Sequence, residues 1–217
     1  MPRIGIYTGD FLFYHEIIDT LRKWGLPFTS LEHPTEIPPD VVAVLSTPMD
    51  FIPNEKAVKG IDPLATLRKS IPRLLNKQEF DRMIIGVDPG PYPGIAVFGD
   101  GILIEAYECP TLQRLSTDIK AIASSYSYRS IQLRLGDGDA PNRDLILQSI
   151  RPLGISISIV SEKNTSFPHK IHDNALSAAR IANVNSPQIS MKYERYHRDR
   201  RKTAIENEFV TIKSVVH

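Results

Sequence analysis

Residues 84–98 read IIGVDPGPYPGIAVF. An apolar run, Ile84 to Val87, ends on one carboxylate, Asp88. Pro89, Gly90, Pro91, Pro93 and Gly94 follow, and a second apolar run, Ile95 to Phe98, comes directly behind. Proline presets its own φ and glycine accepts φ values closed to other residues, so this density of the two makes a tight turn. The stretch reads as strand, turn, strand. The residue left to explain is the aspartate at the first strand's end.

On the C-terminal side the pattern continues. Gly99-Asp100-Gly101 has the composition of a hairpin turn, and Ile102–Tyr107 is a third strand. Leu112, Leu115, Ile119 and Ile122 share one face of a helix predicted over Thr111–Ser125. Ser130–Leu135 is a fourth strand. A helix entered through Pro141 is predicted over Ala140–Leu153, and Ile155–Val160 is a fifth strand. His169–Ala182 closes the series as a helix carrying Ile171, Ala175, Ala178 and Ile181. The order is βββαβαβα: three antiparallel strands open a mixed sheet that parallel βα units extend.

On the N-terminal side, residues 63–77 are helix-like, with Leu64, Leu67, Ile71 and Leu74 on one face; Pro72 is expected to kink or split that helix. Residues 46–62, STPMDFIPNEKAVKGID, read as a linker or long loop. Before it stand a strand (Ile4–Tyr7), a candidate cap (Asp10), an amphipathic helix over 12–24 closed by Gly25, and further strands at Leu26–Leu31 and Val41–Leu45. These make a small α/β unit with a parallel core. Gly9 and Asp10 at its first turn are either a ligand site or part of a structural or partner-binding domain, since no full glycine-rich phosphate signature follows. The chain thus divides into a small α/β domain with its linker (1–62), a βββαβαβα domain with a leading helix (63–185), and a basic extension (186–217).

The 217 residues are 41% hydrophobic and 24% charged, the composition of a globular protein with real cores. The 26 Lys+Arg against 25 Asp+Glu leave a net charge of +1, so nucleic-acid binding would have to come from local patches. Cys109 is the only cysteine, which excludes an intrachain disulfide and a cysteine zinc site. No apolar run approaches the ~20 residues of a membrane span, and the N-terminus lacks a signal-peptide core. The expected compartment is the cytoplasm.

With these residues in view, the region 82–183 resembles the ribonuclease-H-like fold, whose element order is βββαβαβα. Its first strand resembles the opening motif of RuvC-type Holliday-junction resolvases, an apolar strand, Asp-Pro-Gly, then glycine and a second apolar strand. The resemblance implies a nuclease of DNA recombination or repair that uses Mg²⁺ or Mn²⁺, two ions about 4 Å apart. Carboxylates are the matching ligands for such hard cations. Asp88 stands at the family's first acidic position. Asp137, in LRLGDGDAPNRD after the fourth strand, stands at the second, where the family usually carries glutamate; Asp139 close behind equally suits a helix cap. On the final helix, HKIHDNALSAARIA places Asn174 on the family's essential aspartate and Ile171 on its other acid. Asp173 falls one residue early, about 100° round the helix. It is either a third metal ligand, with His169 and His172 beside it, or a polar helix-start residue.

The loop SEKNTSF at 161–167 offers Glu162 as a ligand or base, and Lys163, Asn164, Thr165 and Ser166 as phosphate contacts or as a plain polar loop. Arg143 is placed to hold a phosphate or to pair with a nearby carboxylate. From Lys192 to Lys202 six Lys/Arg face two acids, with Tyr193 and Tyr196 between them. Arg195, Arg198, Arg200, Arg201 and Lys202 are therefore candidate contacts to a nucleic-acid backbone, or else a solvated helix face. Phe209–Val216 reads as a final strand or packing segment. The expected partner is nucleic acid, DNA before RNA. A homodimer is compatible with this, and the N-terminal unit is a candidate surface for a protein partner. Two further readings stay open: a non-catalytic nucleic-acid-binding or scaffold protein with an incomplete metal site, and a nucleotide-binding protein using the Asp-Pro-Gly turn.

Overall fold

The computed structural model describes residues 1–161, 173–184 and 201–217. They form a mixed α/β protein with two sheets and two compact units. The first unit comprises Met1–Phe80, Ala121–Tyr128 and Ile212–His217; the second comprises Asp81–Lys120 and Arg129–Thr211.

The first unit opens with β1 (Arg3–Ile6) and α1 (Phe11–Trp24). Asp10 caps α1 by accepting the Phe13 N–H at 3.0 Å, which satisfies a donor the helix itself cannot reach. Phe13, Ile17, Ile18 and Leu21 form its buried stripe. The helix ends at Gly25, whose φ of 64° lies in the left-handed region, and the Leu26 N–H turns back to the Leu21 carbonyl. Then come β2 (Phe28–Ser30), β3 (Val41–Ser46), β4 (Ala57–Lys59) and α2 (Pro63–Leu74). The four strands are parallel throughout, in the order β2-β1-β3-β4. The segment expected as a linker thus contributes β4, with Val58 buried. Pairing with β3 supplies its hydrogen bonds, and the Gly60 N–H donates to the Ser46 carbonyl. Pro72 does not split α2. It sits inside the last turn, and the helix stops at Leu74, three residues short of the expected bound. α2 packs against α1, β3 and β4.

The second sheet is built from β5 (Phe80–Asp88), β6 (Gly94–Gly99), β7 (Ile102–Glu108), β8 (Tyr128–Gly136) and β9 (Ser156–Val160), with α3 (Leu112–Ser125), α4 (Ala140–Ile150) and α5 (Asn174–Asn183) between and after them. This is the order βββαβαβα. Across the sheet the strands run β7-β6-β5-β8-β9. β5, β6 and β7 are antiparallel, and β8 and β9 are parallel. β5 and β8 run the same way: Phe80 bonds Ser127, Asp81 bonds Ser130 and Arg82 bonds Gln132, so the two numberings rise together. Asp100 and Gly101 both take positive φ, 50° and 84°, the tight hairpin turn that their composition calls for.

Helix α5 lies directly on β5 and β6. Its Ala178, Ala179 and Ala182 pack with Ile84, Ala96, Phe98 and Leu103. Arg134 of β8 is buried and donates to the Ala182 and Val184 carbonyls, 2.6 Å each, at the helix's C-terminal end. After α6 (Arg201–Glu208) the chain makes one bridge, Thr211 to Leu103, and Phe209 meets Phe98 edge-on. The expected final strand is instead helix α7 (Ile212–Val216), which buries Ile212 and Val216. Among the described residues no helix is long and apolar enough to cross a membrane.

Candidate functional site

The site builds from one row of the sheet. Asp88, the last residue of β5, pairs with Gly94 of β6, and Gly94 pairs with Glu108, the last residue of β7. Residues directly opposite in antiparallel strands project to the same face. Two strand spacings put the Asp88 and Glu108 Cα atoms about 10 Å apart. Between them Gly94 has no side chain, and a Cβ there would collide with the Asn174 carbonyl. The missing side chain admits the first turn of α5 between the two acids.

That turn supplies the remaining groups. The Asn174 N–H donates to Glu108 Oε1 at 3.2 Å, and Asn174 Nδ2 donates to the Tyr92 carbonyl at 2.7 Å. With its nitrogen so engaged, the amide's Oδ1 is the end left to face Gly90. A point on the Cβ side of Gly90 lies 3.7 Å from Asp88 Oδ1 and 3.9 Å from Asn174 Oδ1. Asp88 accepts the Gly90 N–H at 3.3 Å and a hydrogen bond from the Ser177 hydroxyl. Burial pushes the Asp88 pKa above the ordinary aspartate value and the Glu108 charge adds to the rise, while the Gly90 and Ser177 bonds only partly offset it. Asp88 is thus a half-buried carboxylate beside a second one, in need of a proton or a cation.

Asp137 follows β8, and its N–H extends the parallel ladder to the Val160 carbonyl at 2.9 Å. Because β5 and β8 are neighbours running the same way, Asp88 and Asp137 leave the sheet at the same edge. Arg143 donates to the Asp137 carbonyl at 3.2 Å and pairs with Asp144 at 3.2 Å. Asp139 caps α4 by accepting the Asn142 N–H at 3.2 Å. Asp173 is buried and caps α5, accepting the Leu176 N–H at 3.0 Å. Its carboxylate serves the helix start, and its neighbour Asn174 stands by Asp88. Glu162, Lys163, Asn164, Arg195, Arg198 and Arg200 lie outside the described residues, and so do the side chains of Arg201 and Lys202.

Among the described residues no group of three or more His, Cys, Asp or Glu side chains is placed to hold a metal ion, so Asp88, Asp137 and Asp173 are not gathered into one cluster. Asp88 Oδ1 and Asn174 Oδ1 face one point beside Gly90, and the Glu108 charge acts on Asp88 from the next strand but one; these are hard oxygen donors of the kind that suits Mg²⁺ or Mn²⁺. Glu108 was not legible as a site residue. Counting back from the hairpin turn pairs Gly94 with Tyr107; a register shift between Val97 and Phe98 moves Glu108 into that place.

At the first turn of the N-terminal unit, Gly9 donates to Asp50 Oδ1 at 3.0 Å, and Thr47 donates to Asp50 Oδ2 through its N–H at 2.8 Å and its hydroxyl at 2.7 Å. Burial pushes Asp50 upward, but these bonds and one from Thr8 outweigh it and hold the carboxyl below its ordinary value. Gly9 and Asp10 are thereby tied into loop and cap.

Residues 3–74 match the family model of the response regulator receiver-like domain. No curated protein matches the chain. Among solved structures, an Argonaute from Marinitoga piezophila, in complex with 5′ OH guide RNA and target DNA, is similar at 10% identity, over 74% of this chain and 39% of that one, with a TM-score of 0.29. The chain spans well under half the length of that structure.

Proposed function

We propose that this chain is a nuclease-like protein acting on structured nucleic acid, with Asp88 at the centre of its site. The observation that carries this is the Asp88–Gly94–Glu108 row: two carboxylates on one face, at the sheet edge where Asp137 also emerges, with an amide oxygen between them. The βββαβαβα order and the Asp-Pro-Gly turn favour a RuvC-like chemistry, hydrolysis of a phosphodiester in a branched substrate. Asp88 and Glu108, with Asn174 Oδ1, would hold a divalent cation, whose chemistry there is to polarise a phosphoryl oxygen. The chain's own groups orient the acid: the Gly90 N–H and the Ser177 hydroxyl fix the Asp88 carboxylate, and Asn174 fixes Glu108. The basic segment 192–202, with Arg143, Lys163 and Asn164, would hold the strand.

One observation favours a second reading, binding without cleavage. Asp173 is committed to capping α5, and an amide, Asn174, stands where the resemblance implies an acid. Labelled branched DNA, duplex DNA and an RNA–DNA hybrid, incubated with Mg²⁺ or Mn²⁺, separate the two. Cleavage of any substrate by the wild type, abolished in Asp88→Asn with binding retained, supports the nuclease. Binding without cleavage supports the second reading, and the absence of both refutes the nucleic-acid function.

A further inference from the structure

The first unit contains a cavity of about 250 Å³ bordered by Lys59, Lys69 and Arg73, with Gln78 and Ser127 beside them and no carboxylate among its described lining residues. Lys59 ends β4. Lys69 and Arg73 stand four apart on α2 and so share a helix face. Lys59 Nζ donates to the Asp50 carbonyl at 2.6 Å, and Arg73 NH1 donates to the carbonyls of Glu55 at 3.3 Å and Lys56 at 2.9 Å. All of these acceptors are uncharged. Among the described residues none of the three cations is in an ion pair. Arg73 is anchored through NH1 alone, so its Nε and NH2 donors make no bond to a described residue.

We propose that this cavity is a phosphate-binding site. Three like charges around one hollow repel, and an anion between them reverses the sign of that interaction. The anchored guanidinium presents a two-donor edge matched to a phosphate, the lysines add point charges, and the Gln78 amide and Ser127 hydroxyl are further donors. The volume is below the roughly 300–1,000 Å³ of pockets that enclose drug-sized molecules, so the cavity takes a phosphate group and leaves any base outside. That group is either free phosphate or one carried by a nucleic acid. This inference does not depend on the Asp88 site.

The test titrates the full chain with inorganic phosphate, and separately with single-stranded and duplex oligonucleotides, for wild type, Lys69→Glu and Lys23→Glu. Lys69 is exposed and makes no bond to a described residue, so its reversal leaves the fold intact; Lys23→Glu makes the same charge change on α1, outside the cavity lining. Loss of a charge-assisted contact weakens binding about 10- to 100-fold. That loss in Lys69→Glu, with Lys23→Glu like wild type, supports the site. If phosphate alone binds, the ligand is free phosphate; if oligonucleotides bind at the same place, the source is nucleic acid. No phosphate or oligonucleotide binding, or binding that Lys69→Glu and Lys23→Glu change equally, overturns the proposal. Asp88→Asn serves as a parallel arm: it leaves phosphate binding here unchanged even where cleavage fails, so the two proposals fail separately.

Discussion

Gly86→Ala tests the packing that creates the carboxylate site. Gly86 lies in β5 under α5. A Cβ there would overlap the Ala178 carbonyl and would sit 2.7 Å from Ala182 Cβ and 2.9 Å from Ala182 N. Ordinary contact starts at 3.4 Å, so the contact to Ala182 Cβ is 0.7 Å too short, and the other two obstacles are helix backbone. The helix must retreat or the strand must bend. Overpacking of this kind costs about 1–3 kcal/mol. With an m-value of about 2 kcal/mol/M, a loss of 2 kcal/mol lowers the urea midpoint by about 1 M. Retreat of α5 also withdraws the Ser177 hydroxyl from Asp88, which raises that carboxyl's pKa further. Gly90→Ala is the control. Its Cβ would meet only Asp88 Oδ1 and Asn174 Oδ1, at ordinary contact distances of 3.7 and 3.9 Å. It should be neutral, or stabilising by up to about 1 kcal/mol through the unfolded chain. Urea unfolding followed by circular dichroism reads both variants. Equal midpoints for Gly86→Ala and wild type would refute the close seating of α5 on β5, and with it the position of Asn174 beside Asp88.

Three further outcomes follow from the local chemistry. The folded pKa of Asp88 is raised, so its native proton is favoured at low pH and that stabilisation is lost as pH rises through the folded value; Asp88→Asn should therefore be more stable than wild type at neutral pH, with the gain shrinking toward the ordinary aspartate pKa of 3.8, as read from urea midpoints against pH. Asp173→Ala should lose about 0.5–2 kcal/mol by removing a helix cap, whereas Asp173→Asn should keep most of that stability; equal losses in the two would mean that the carboxylate does more than cap. The Cys109 thiol is buried and pushed up to about 12 by burial and by the neighbouring Asp118, so it should resist alkylation at pH 8 in the native protein and react on unfolding.

The fold was legible where its determinants are local. Asp10 before a helical stripe, Gly25 after it, the Asp100-Gly101 turn and Pro141 at a helix start each act within a few residues, and each stands where the sequence puts it. β4 was hidden because Ala57, Val58 and Lys59 are too few to carry a periodic pattern, and only the neighbouring β3 makes them a strand. The last segment misled for the reverse reason: Phe209 and Val210 suit a strand, but among the described residues only one bridge forms before α7 begins. In the site, Asp88 stands out because a lone acid ends an apolar run. Glu108 depends on a register shift in the β6–β7 pairing, at Val97 and Phe98, which no local signal announces. The choice between Asp173 and Asn174 turned on helix phase, and the phase is set by the cap itself, which occupies the Asp173 carboxylate and leaves Asn174 beside Glu108.

The most direct test of the carboxylate site is Mn²⁺ binding, followed by electron paramagnetic resonance, to wild type, Asp88→Asn and Glu108→Gln. The Asp88–Gly94–Glu108 row calls for one ion in the wild type, strongly weakened in both variants, together with a rise in wild-type stability on adding Mn²⁺ that Asp88→Asn lacks. Wild-type affinity retained in both variants would contradict it.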